Sequence, residues 1–119
     1  NPDLPAPLWS LALGQERAGH ALEAEKVYLR LVKVTPESPE AWYRLGLLRA
    51  GRGNWPGSAE AFETATKLRH DWADALVNLA LAYWNSGDRE AALVTFHNAQ
   101  ELEPNNLDVL RSVAHLSLE

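Results

Sequence analysis

Among its 119 residues the chain has no cysteine. That removes any disulfide framework and any thiolate metal site, and leaves the compartment open, since exported and cytosolic domains can both lack cysteine. There is no methionine either, and the chain begins at Asn1. We therefore expect a piece of a longer protein, in which missing targeting signals carry no weight. No apolar run reaches bilayer-spanning length, so membrane insertion is not expected.

Positive charge is scarce where a nucleic-acid surface would need it. The formal charge is −5; residues 1–59 carry seven Lys/Arg against six Asp/Glu, and residues 60–119 carry four against ten. An acidic second half lacks the basic stripe that displaces counterions from a phosphate backbone, so no nucleic-acid partner is expected. A solvated acidic face is the simple explanation of the imbalance, and a basic partner the other.

Catalytic and metal-binding patterns are also missing. His20, His70, His97 and His115 include no pair three or four residues apart, so no helical metal pair forms. Gly51–Gly57, GRGNWPG, lacks the Gly-Lys-Ser/Thr of a phosphate loop and reads as an inter-helix turn. There is no GxSxG. Glu23, Glu25, Glu60, Glu63, Glu101 and Glu103 fall on outer helix faces, where carboxylates are solvated. Neither an enzyme nor a cofactor site is expected.

What is present is a period. Shifting the chain against itself by 34 residues aligns Ala12, Gly46, Ala80 and Ala114, all small, and Leu11, Leu45, Leu79 and Val113, all aliphatic. Leu8, Trp42, Leu76 and Leu110 form a bulky column; Gly19, Gly53 and Gly87 recur at turns. Ala24, Ser58 and Ala92 are small, Tyr28, Phe62 and Phe96 aromatic, and Pro36, His70 and Pro104 close the unit. Small residues let helices approach closely, and the aromatic fills the space between them. Glycine supplies a positive φ after a helix, and proline ends one.

The unit reads as two helices joined by a tight turn. Residues 1–6, NPDLPA, are expected to be an irregular lead-in, followed by helices from Pro7 to about Ala18 and from Ala21 to Val34. Ser38-Pro39-Glu40 marks an N-cap with proline at the first helical position, opening a third helix to about Ala50. A fourth helix, with Pro56 in its first turn, runs through Leu68. The third pair spans Ala75 to Asn106, with Asp88 as N-cap of its second helix. A seventh helix begins at Asn105–Asp108 and is apolar at Val109, Leu110, Val113, Ala114 and Leu116. Terminal repeats need a polar outer face. We expect either further repeats beyond this one or packing on another copy, with further repeats favoured; self-association through this helix is the second outcome.

These columns resemble the tetratricopeptide repeat, whose period is 34 residues. The match is carried by Trp42, Leu45, Gly46 and Phe62, and by Leu79, Ala80, Tyr83, Ala92, Phe96, Ala99 and Pro104. It divides the chain into repeats 5–38, 39–72 and 73–106 and a C-terminal helix, 107–119, that starts a fourth repeat or caps the array. Departures are Gln15 and Arg49 in place of tyrosine, Ser58 for alanine and His70 for proline. The resemblance implies an all-α fold, an α-solenoid of seven helices whose hairpins stack in a right-handed superhelix. The first helix of each pair would line a concave face that binds an extended peptide or a partner helix.

On that alignment the groove stripe reads Trp9, Leu13, Glu16; Tyr43, Leu47, Ala50; Val77, Leu81, Trp84; Arg111, His115, Leu118, with Arg17, Arg44, Asn78 and Asn85 as polar neighbours. An apolar strip with rigid aromatic anchors suits a hydrophobic peptide or an amphipathic helix. Burial of part of the strip between adjacent first helices is the alternative. Trp9, Leu13, Arg44, Asp74 and Asn78 stand where carboxylate-clamping relatives carry Lys, Asn and Arg, and Asp74 would repel a carboxylate. The column Ser10, Arg44, Asn78, Ser112 holds one asparagine where the O-linked N-acetylglucosamine transferases carry a ladder. The expected function is a non-catalytic protein-binding scaffold. The alternative is an assembly segment of a longer superhelix, and a regulatory arm of an enzyme ranks third.

Overall fold

The computed structural model describes residues 4–106 and 111. Six helices occupy them: α1 (Pro5–Arg17), α2 (Ala21–Val34), α3 (Pro39–Gly51), α4 (Trp55–Leu68), α5 (Ala73–Asn85) and α6 (Arg89–Leu102). No strand occurs among the described residues. The seventh helix expected from Asn105–Asp108 onward lies outside them, except that Arg111 is helical and exposed. The first helix starts earlier than the sequence suggested. Pro5 is helical, so only Leu4, which is extended, remains of the described lead-in. Proline at the first helical position loses no hydrogen bond, and this lets the Pro-rich segment join the helix instead of preceding it.

Each hairpin turn repeats the same backbone chemistry. Gly19, Gly53 and Gly87 have φ of 80°, 78° and 96°. The N–H groups of His20, Asn54 and Asp88 each donate to the carbonyl five residues back, on Gln15, Arg49 and Tyr83, all at 2.9 Å. The glycine N–H groups donate to Glu16, Ala50 and Trp84 at 3.0, 3.0 and 3.1 Å. This pair of bonds satisfies the orphan carbonyls of a helix end and needs the left-handed residue. The next helices are capped by side chains: Ser38 accepts from the Ala41 N–H, Asn54 from Gly57 and Asp88 from Ala91.

Between these turns the recurring columns form the core. Ala12, Gly46 and Ala80 are buried against Tyr28, Phe62 and Phe96, which are almost wholly inaccessible. Gly46 and Phe62 approach so closely that a Cβ on Gly46 would lie 2.8 Å from the ring. Ser58, where the family has alanine, donates its hydroxyl to the Gly46 carbonyl at 3.0 Å. Arg49 replaces tyrosine by a polar link: its Nε is 3.3 Å from the Glu25 carboxylate and its Nη1 donates to the Gly57 carbonyl at 3.1 Å.

One column divides. Leu45 and Leu79 are 0% and 5% exposed, whereas Leu11 is 45% exposed. Leu45 packs into the first hairpin's core, with Ala24, Tyr28 and Leu31, and Leu79 into the second's, with Ala59 and Phe62. This helix face therefore packs on the preceding hairpin, and Leu11 has no preceding hairpin among the described residues.

Candidate functional site

The stripe on α1, α3 and α5 is mostly half-buried. Trp9, Leu13, Glu16, Tyr43, Ala50, Val77, Leu81 and Trp84 all fall in that intermediate range, and Leu47 is more open at 36%. Part of each side chain serves the core, because α3 and α5 both pack on their predecessor hairpins. Val77, Leu81 and Trp84 lie against Ala80 and Phe96. Trp9 meets Tyr28 edge-on, with ring centroids 5.9 Å apart.

Four of the expected residues converge. Trp9, Tyr43, Arg44 and Leu47 line a cleft of about 470 Å³, together with Glu40 and Trp72. Tyr43 is its structural centre. Its ring stands 5.5 Å from Phe62 and 4.4 Å from Trp72, and its hydroxyl accepts a 2.9 Å hydrogen bond from Asn78. Burial first, then the nearby Asp74 carboxylate, push the Tyr43 pKa up, so the hydroxyl is neutral at ordinary pH. Arg44 is exposed and reaches Glu16 at 3.9 Å, a separation that solvent weakens to little energy.

Trp72 was not on the sequence-derived list, although a signal existed. It stands 34 residues after Ser38, in the position that caps the following helix, and it makes no capping bond there. An indole at a capping position has another role. Here it is sandwiched between Tyr43 and the Arg69 guanidinium, which lies 4.8 Å from the ring centroid. Glu40, one turn before Tyr43 and Arg44, was missed because its column is charged and carries no periodic signal.

The other expected groove residues do not line this cleft. Arg17 is exposed at the end of α1. Asn85 is exposed and bonded to its own helix at the Leu81 carbonyl, 2.8 Å away. Asn78 spends its amide on Tyr43 and on the Asp74 carbonyl. Trp84 is covered on one side by Arg89, 4.7 Å from its ring. Arg111 is described alone; His115 and Leu118 lie outside the described residues.

Among the described residues no group of three or more His, Cys, Asp or Glu could hold a metal ion, and no helix is long and apolar enough to cross a membrane. The cleft offers rigid aromatic faces, one aliphatic side chain and one charge of each sign. That chemistry can bind and orient an apolar side chain.

Comparison with known proteins agrees with this architecture. The chain is 31% identical over 90 residues to the Photosystem I assembly protein Ycf3 of Synechococcus sp. (strain CC9605), covering 71% of this chain and 52% of that protein. It thus spans about half the length of the curated relatives it matches. Among solved structures it superposes on the Thermobaculum terrenum O-GlcNAc transferase with a TM-score of 0.76 and 28% identity, covering 92% of this chain but 21% of the other. It also superposes on the Yersinia enterocolitica type III secretion chaperone SycD, solved with a peptide of the translocator YopD, with a TM-score of 0.84 and 20% identity over 93% of this chain and 90% of that one. The model of the Cilia and flagella-associated protein 70 middle TPR-like domain matches residues 8–117. Nearly the whole chain is covered by that match, and the 34-residue columns, the three glycine turns and the stacked hairpins agree with it: the chain belongs to this TPR-like family and is a tetratricopeptide-repeat protein.

Proposed function

We propose that the chain is a non-catalytic protein-interaction module that takes an extended peptide or an amphipathic helix along the α1–α3–α5 strip, with the Trp9–Tyr43–Leu47–Trp72 cleft as the anchor point. The observation that carries this reading is the cleft itself: about 470 Å³, walled by three aromatic rings and open at Leu47. Rigid aromatics lose little entropy on binding and make strong anchors. Arg44 and Glu40 add charge of both signs at the same place, suited to the backbone and flanking residues of a ligand. The Yersinia chaperone of the same fold, solved with a translocator peptide, supports the reading by analogy of architecture.

Affinity for a short peptide would be micromolar, about −8 kcal/mol. The test is selection of peptides from a displayed library, followed by calorimetry with the selected sequence. Leu47→Asp and Arg44→Glu change exposed positions and should leave helicity intact. Loss of binding on Leu47→Asp at unchanged helicity supports the groove; undiminished binding overturns it.

A second reading has its own observation. Leu4 and Leu11, 50% and 45% exposed, lie on α1, and Leu11 belongs to the face that α3 and α5 bury on a neighbouring hairpin. That favours an assembly segment whose α1 face is covered by further repeats or another subunit. Sedimentation of the chain beside Leu11→Lys separates the cases: a dimer that dissociates on this substitution favours assembly between copies.

A further inference from the structure

The column Leu8, Trp42, Leu76 is filled by an indole in the second hairpin and by leucine in the third. Trp42 packs on the core that joins the first two hairpins and donates its indole N–H to the Pro36 carbonyl at 2.9 Å. Thirty-four residues later the corresponding place holds Leu76, and a cleft of about 570 Å³ opens there. Its lining is the repeat image of the surroundings of Trp42. Thr66 stands for Val32, His70 for Pro36 and Leu102 for Leu68, and Lys67 and Glu101 contribute one charge of each sign.

The shape is thus that of a place built for a large aromatic residue and given a smaller one. Opposite charges on Lys67 and Glu101 leave the lining without net charge, which disfavours a charged ligand and suits a neutral one. The position is distinct from the groove, because its residues come from α4, α5 and α6 and share none with the Tyr43 cleft. We propose that this cleft receives a tryptophan side chain presented by a partner protein, with its indole N–H donating to the His70 carbonyl as that of Trp42 does to Pro36. The chain would then have two binding surfaces, one on the first helices and one on the second.

The test uses N-acetyl-L-tryptophanamide as probe, titrated into the isotopically labelled chain while amide resonances are followed. Saturable shifts should centre on Lys67, His70 and Leu102, with half-saturation on the order of a millimolar, the range a single side chain supports. Leu76→Trp fills the cleft from within and should abolish these shifts. Should that variant melt earlier than the parent, Leu102→Lys, at a solvent-exposed position, is the second block. Leu47→Asp, in the other cleft, should leave them unchanged. The 1-methylindole analogue, which cannot donate, should bind roughly two- to tenfold more weakly. Three results overturn the proposal: no saturable shift at about ten times the expected half-saturation concentration, shifts centred on Trp9, Tyr43 and Leu47, or equal binding of N-acetyl-L-phenylalaninamide.

Discussion

The side-chain amide of Asn78 donates to the Tyr43 hydroxyl across 2.9 Å and so ties α5 to α3 within the strip of first helices. A neutral side-chain hydrogen bond of this kind contributes about 1 kcal/mol net. Asn78→Ala and Tyr43→Phe should each destabilise by about 1 kcal/mol, and the double variant by less than their sum, with a coupling of about 0.5–1.5 kcal/mol. Urea denaturation of the four proteins measures it. Strict additivity would show that the bond contributes nothing to stability.

Gly46 leaves no room for a side chain, since its absent Cβ would sit 2.8 Å from the Phe62 ring. Gly46→Ala should cost about 1–3 kcal/mol through overpacking. Ala12 and Ala80 occupy the same column in the other hairpins, so the fault lies in the Phe62 placement and not in the column. Combining Gly46→Ala with Phe62→Leu should recover part of what the two lose separately. Melting temperatures of the three variants decide it.

Two glycines should respond with opposite sign. Gly87 has a φ of 96°, where a Cβ is strained, whereas Gly14 lies within α1 and a Cβ there meets nothing within 4 Å. Gly87→Ala should destabilise by about 1 kcal/mol or more, and Gly14→Ala should stabilise by about 0.5–1 kcal/mol. Equal shifts in denaturation midpoint would contradict the turn assignment.

The Tyr28 hydroxyl is buried without a partner in hydrogen-bonding geometry, although the Glu16 carboxylate is close enough to act on its charge. Tyr28→Phe should therefore be neutral or stabilising by up to about 1 kcal/mol. Tyr83→Phe should cost about 1–2 kcal/mol, because the Tyr83 hydroxyl donates to the Glu63 carboxylate. A loss above about 1 kcal/mol for Tyr28→Phe would mean that Glu16 completes the missing bond.

Alkaline pH should unfold the chain through the same tyrosines. Burial, reinforced by neighbouring carboxylates, raises the pKa of Tyr28, Tyr43 and Tyr83 above the usual 10.0. A raised acid keeps its proton better when folded, so this stabilisation is complete below pH 10 and is lost as pH rises beyond it. Denaturation midpoints at pH 8 and pH 11 should differ, with a contribution from Tyr28 of at most about 1.4 kcal/mol per pH unit. Tyr28→Phe should flatten the dependence.

Much of the architecture was legible in the 34-residue columns. A helix hairpin repeated with the same small, aromatic and glycine positions has one economical way to bury them, namely stacking on itself. The turns at Gly19, Gly53 and Gly87 and the caps at Ser38 and Asp88 were readable because their chemistry is local: a positive φ and a side-chain oxygen depend on neighbours in sequence. The same holds for the lack of a cysteine-based site and of a basic stripe, which are matters of composition alone.

What the columns could not contain was decided by packing between hairpins. Leu11 matches Leu45 and Leu79 letter for letter, yet its exposure depends on whether another hairpin covers it. Trp72 breaks the capping pattern, but only the stacking of α3 against the loop between α4 and α5 sets it 4.4 Å from Tyr43 and makes both walls of one cleft. Asn78 looked like a polar neighbour free to meet a ligand until the approach of α5 to α3 gave its amide to Tyr43. Periodicity determines which face of a helix is apolar; the distance and angle at which two such faces meet determine which side chains are consumed by the core and which remain to bind something else.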